Sequence, residues 1–103
     1  MTFEVLRLID ANHPSLPGHF PGAPLVPGVV ILDEVVAALD EWRQHSQLSG
    51  ISNVKFLAPL KPQQLFTILL SAKSKKTGEV SFCCRAEERV IVEGRLAVVW
   101  GAK

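Results

Sequence analysis

Apolar and polar positions change their period along this chain, and the changes mark out six elements. From residue 3 to residue 10 apolar side chains alternate loosely, with Val5 and Leu6, then Leu8 and Ile9, which predicts a first strand. Residues 11–27 hold Pro14, Pro17, Pro21, Pro24 and Pro27 together with Gly18 and Gly22, and predict a loop. Proline fixes φ and restricts the residue before it, so this loop is stiff. A stiff loop holds a side chain in place with little entropy lost on binding. Residues 28–46 lack proline and predict a helix, with Pro27 at its start, where a missing N–H costs nothing. Ile31, Leu32, Val35, Val36, Ala38, Leu39 and Trp42 fall on one wide apolar face of that helix. Val29, Val30 and Ala37 carry apolar character onto the opposite side, so the first half of the helix is expected to be covered on most sides. Its second half, with Asp40, Glu41, Arg43, Gln44 and His45, is expected to be more open.

Beyond the helix the period becomes 2. Strands are predicted over residues 52–58, 65–73, 79–87 and 90–100, with Pro59 and Pro62 breaking the first from the second. In the third of these, Val80, Phe82, Cys84 and Ala86 alternate with Glu79, Ser81, Cys83 and Arg85. In the last, Val92, Leu96 and Val98 alternate with Glu93, Arg95 and Ala97. One strand, one long helix and four strands make an α+β domain with a single helix on an antiparallel sheet. A helix covered on most sides implies a sheet that wraps around it.

The chain has 103 residues, room for one domain over 1–103. Hydrophobic residues make up 48% and charged residues 20%, a balance that folds. A formal net charge of +1, with no Lys/Arg stripe, argues against nucleic acid as a partner. Apolar runs fall far short of the roughly 20 residues that span a bilayer, so no membrane insertion is expected. Cys83 and Cys84 are adjacent and point to opposite faces of a strand, so they are expected neither to pair nor to share a metal. Unpaired thiols and an N-terminus without a basic and apolar leader fit a reduced, cytoplasmic setting.

Candidate chemistry gathers where the stiff loop meets the helix. His19 lies inside the loop, and Asp33 follows 14 residues later, in the second turn of the helix. The first amides of a helix have no intrahelical partner and carry the positive end of its dipole. An imidazole, a carboxyl and free donors can therefore converge as base, acid and oxyanion binder. On periodicity alone Asp33 shares a face with Asp40 and Gln44, which is equally a solvated face, and Glu34 would serve as well. His13 and His45 read as structural or surface residues.

The run GHFPGAPLVPGVVILD resembles the signature of the β-hydroxyacyl-acyl-carrier-protein dehydratases of the FabA/FabZ type. Gly18, His19, Phe20, Pro21, Gly22, Pro24, Pro27, Gly28 and Asp33 stand in the family register. A weaker second match runs through Val54-Lys55-Phe56, Pro59, Pro62 and Leu65, one residue shorter than the family pattern. Elsewhere the likeness is only one of element order. The resemblance implies a hotdog fold, with an antiparallel sheet wrapped around one long central helix, in a short, divergent member of the ApeI-like kind. It places His19 as catalytic histidine and Asp33 as catalytic carboxylate, selecting Asp33 over Glu34. It gives the backbone amides of Gly28 and Val29 to the thioester carbonyl. One departure concerns Ala37, where the family has a glutamine that holds the carboxylate.

The implied reaction is loss of water from a (3R)-3-hydroxyacyl thioester on acyl carrier protein, giving a trans-2-enoyl thioester for fatty acid or related lipid synthesis, aryl polyenes among them. No metal and no organic cofactor are called for. The partners implied are acyl carrier protein and a second copy of the chain, in a homodimer or larger homo-oligomer whose subunits share each site. Two alternatives stand beside it: another acyl-thioester enzyme of the same fold, a coenzyme A hydratase or a thioesterase, and a non-catalytic acyl-binding protein.

Overall fold

A computed structural model describes residues 1–12, 25–44, 46–73 and 78–99. The element order is β1 (Thr2–Arg7), α1 (Gly28–Trp42), β2 (Gln47–Phe56), β3 (Phe66–Ser71), β4 (Glu79–Ala86) and β5 (Arg89–Val99). The strands form one antiparallel sheet in the order β1-β3-β4-β5-β2. The α+β reading therefore holds.

The strict alternation of β4 places Val80, Phe82, Cys84 and Ala86 inward, buried, with Glu79, Ser81 and Arg85 outward. Ile68 and Leu70 of β3 and Val92, Leu96 and Val98 of β5 join them on the same face. Helix α1 lies on that face and buries Val30, Ile31, Val35, Ala38 and Leu39. Fully burying each of the valine, isoleucine and leucine side chains contributes about 1.5–3 kcal/mol. Fixed pairs hold the helix on the β1 side. Arg7 donates from Nε to Glu34 at 3.0 Å and from Nη2 to Glu41, seven residues on along the same flank. Phe3 stacks on Trp42 with ring centroids 6.0 Å apart, and Arg43 lies over the Trp42 ring.

Two expectations need correction. Val29 and Ala37 are not covered: Val29 is 64% exposed and Ala37 is exposed as well. A helix has one side toward the sheet, and the single chain supplies nothing among its described residues to cover the other. Strand β2 also starts at Gln47, five residues before the predicted residue 52. It pairs with β5 through two register shifts, between Leu48 and Gly50 and between Ser52 and Lys55. The second shift coincides with Asn53 at φ 55°, a left-handed backbone that asparagine tolerates. The bulges break the period of 2 that sequence reading relies on. They also keep Leu48, Ile51 and Phe56 opposite Val98, Leu96 and Val92, and so on the inner face. Opposite the bulge Gly94 admits the backbone of Val54, whose Cα would lie 3.1 Å from a Cβ there. No residue of β2 is buried, although it forms an edge of the sheet ten residues long.

Candidate active site

The chain enters α1 through Leu25, Val26 and Pro27. Val26 is buried, and its amide donates to the Leu60 carbonyl at 2.8 Å, which pins the approach to the helix. Pro27 occupies the N-cap with φ −61° and ψ 145° and contributes no side-chain cap. Its carbonyl accepts from the amides of Val30 at 3.0 Å and Ile31 at 3.4 Å. Among the described residues, no carbonyl pairs with the amides of Gly28 and Val29. These are the two donors that the sequence assigned to a carbonyl oxygen.

Asp33 lies one turn beyond Val29 on the same side of the helix, and Ala37 one turn beyond Asp33. All three are exposed. An open depression of about 370 Å³ runs between this stripe and the start of β2, lined by Asp33, Val36, Ala37, Asp40, Ser46 and Leu48 among others. Asp33 has no ion-pair partner among the described residues, whereas Glu34 faces β1 and is held by Arg7. Periodicity could not separate these two acids; their surroundings do, because one is a strut of the fold and the other borders a cavity. At the N-terminal end of the stripe, Phe56 sets its ring against Gly28, a neighbour that sequence reading placed only in a family motif.

His19 falls outside the described residues, as do His13 and His45. The structure thus places Gly28 and Val29 at the start of α1 and Asp33 one turn further on, where it borders the depression. Cys84 is buried, and burial pushes its thiol up to about 12, with the Cys83 sulfur adding to the shift. Burial also raises Cys83, helped by Glu93 and opposed by Arg85. Neither thiol is poised as a nucleophile. Among the described residues no group of three His, Cys, Asp or Glu side chains could hold a metal ion, and no helix is long and apolar enough to cross a membrane.

Comparison with known proteins identifies the class and then the family. The fold is that of hotdog proteins: it superposes with a TM-score of 0.82 on a chain of the dehydratase heterocomplex ApeI:P from Xenorhabdus doucetiae, covering 94% of this chain and 86% of that one at 23% identity. It also superposes with a TM-score of 0.71 on an (R)-hydratase from A. caviae at 13% identity, covering 98% of this chain and 95% of that one. Residues 2–95 match the ApeI-like family, described as ApeI dehydratase. A 3-hydroxyacyl-[acyl-carrier-protein] dehydratase FabZ from Chlamydia trachomatis is 33% identical over 106 residues, covering 88% of this chain and 67% of that protein. The FabZ of Geobacter metallireducens is 32% identical over 101 residues, covering 88% and 65%. The chain spans about two thirds of the length of these relatives. It belongs to the ApeI-like dehydratase family, as a divergent hotdog dehydratase of the FabZ/ApeI kind.

Proposed function

We propose that the chain dehydrates (3R)-3-hydroxyacyl thioesters carried on acyl carrier protein, in fatty acid or related lipid synthesis, through a site shared between two copies. The observation that carries this reading is the bare stripe of α1. It sets two amides, at Gly28 and Val29, one turn before the Asp33 carboxyl that borders an open depression, and none of the three has a partner among the described residues.

In this mechanism the thioester carbonyl accepts from the Gly28 and Val29 amides. His19, as the general base, takes the α-proton on its imidazole. The electron pair moves toward the thioester oxygen, where fixed donors and the positive helix end stabilise the enolate-like charge. The pair then forms the double bond while the C–O bond to the β-hydroxyl breaks, and Asp33 supplies the proton with which that oxygen leaves as water. The protons balance: one water is lost, one alkene is formed, and the proton taken by His19 returns through solvent to the Asp33 carboxylate.

The second copy is part of the proposal. The ten-residue strand β2 forms an edge of the sheet, and its inward residues Leu48, Ile51 and Phe56 are exposed, as are Val29 and Ala37 of the helix. An open strand edge and an apolar strip of this kind are matched by a two-fold copy that pairs β2 with β2. That copy would bring its own His19 loop to this Asp33. A second reading places a different hotdog chain there, favoured by the heterocomplex that the Xenorhabdus doucetiae relative forms.

The test is incubation with a (3R)-3-hydroxyacyl carrier protein and identification of the product by mass. An enoyl carrier protein, 18 Da lighter by the loss of one water, is expected. Release of a free acid would make the chain a thioesterase. Tight binding without conversion, with or without a candidate partner chain, would make it an acyl-binding protein.

A further inference from the structure

Phe56 closes β2 at the end that meets the start of α1. A methyl group placed on Gly28 would come within 2.6 Å of both Cε1 and Cζ of its ring, so the ring edge abuts the glycine that opens the helix. The register explains why a phenylalanine stands there. Ser52 pairs with Arg95, and without the bulge that follows, Lys55 would fall opposite Val92 on the inner face. The extra residue at Asn53 moves Lys55 opposite Glu93 and brings Phe56 opposite Val92. Just beyond the ring, the amides of Leu57 and Ala58 both donate to the Ile91 carbonyl, at 2.8 and 3.2 Å, which fixes the backbone that carries it. Yet Phe56 is 53% exposed, so core burial does not account for its place. Its ring lies against the residue whose amide, with that of Val29, has no partner among the described residues.

We propose that Phe56 is a positioning residue for the reaction: its ring seats the first turn of α1 and keeps water from one side of the Gly28 and Val29 amides, so that both donate undiluted to the thioester carbonyl. This rests on the dehydratase reading above. Donors in a dry, fixed setting stabilise developing charge more than donors that water can reach. An apolar ring packed on a glycine supplies both conditions, and a Cβ at Gly28 would displace the ring from this seat. The bulge at Asn53 then has a purpose in the site as well as in the sheet.

Turnover and infrared spectra of the intact protein test this separately. Phe56→Ala should lower kcat about tenfold with little change in KM, less than the 10² to 10³ typical of losing an oxyanion donor outright. Phe56→Met, which keeps apolar reach, should restore most of that loss. Gly28→Ala should cost at least as much, and the Gly28→Ala/Phe56→Ala double variant no more than the worse single, since both disturb one contact. Bound crotonyl-pantetheine should show its carbonyl stretch shifted to lower frequency in the wild type and less so in Phe56→Ala. The spectrum needs no turnover, so an inactive wild type would count against the dehydratase reading and leave the Phe56 test standing. Multiplying losses in the double variant, or a full carbonyl shift with unchanged kcat in Phe56→Ala, would overturn the inference.

Discussion

Along one flank of α1, Arg7 reaches from β1 to Glu34 and Glu41, and Phe3 stacks on Trp42. Along the other, Val29, Asp33 and Ala37 stand exposed beside an edge strand with no buried residue. Both flanks belong to one helix of 15 residues, and both carry acids. They differ in what their acids do. Glu34 pairs its charge with a neighbouring strand, while Asp33, at the rim of a depression, has no ion-pair partner among the described residues. The first flank is finished within the chain. The second combines exposed apolar surface with polar groups that have no partner among the described residues, the combination from which the shared site is proposed.

Charge placed on the β2 edge should have the largest effect. Ile51→Lys puts a cation on the inward side of the strand proposed to pair across the two-fold axis. It should give monomers by light scattering and abolish turnover, while the melting temperature of the monomer stays within a few degrees of the wild type's. Next come the two neighbouring acids. Asp33→Asn should lower kcat by about 10² to 10⁴, while Glu34→Gln should leave kcat within about twofold. The reverse pattern would mean that the register is wrong by one residue. Stability separates the flanks in the opposite sense. Val35→Ala, on the buried side, should cost about 2 kcal/mol by denaturant titration, whereas Ala37→Gln, on the bare side, should change stability by less than about 0.5 kcal/mol. If the glutamine bonds the Asp33 carboxyl as it does in the family, Ala37→Gln should also raise kcat by up to about tenfold, the equivalent of one hydrogen bond. The smallest effect is expected for Arg7→Met, which removes both ion pairs and should cost about 1 kcal/mol or less, with kcat unchanged.

Most of the fold was legible wherever side chains obeyed one period. The alternation of Val80, Phe82, Cys84 and Ala86 located β4 to within a residue, and the apolar face of residues 31–42 located α1, although the helix ends at Trp42 and not at the predicted residue 46. Strand β2 was misread at its start because two bulges put Leu48, Ile51 and Phe56 on one face at spacings of three and five. No alternation survives such spacings. The covered helix was misread because Val29 and Ala37 are apolar for a reason outside the chain's own core. Of the candidate site, the motif nominated Asp33, Gly28 and Val29, while the distinction between Asp33 and Glu34 gains its physical ground from Arg7, which lies 27 residues before Glu34. The Phe56–Gly28 contact was not legible, since it joins the end of an irregular strand to the start of a helix.

Complementation between defective subunits tests the shared site most directly. His19→Ala and Asp33→Asn are each expected to be nearly inactive alone. Mixed dimers carry one site with both defects and one intact site, and so about half the activity of a wild-type dimer. With random exchange about half the dimers are mixed, so the equimolar solution should recover about a quarter of wild-type turnover. Exchange is followed in the same sample by energy transfer between labelled subunits. Activity that returns in step with exchange is the expected result. Complete exchange with no return of activity would mean that His19 and Asp33 do not meet across two copies of this chain.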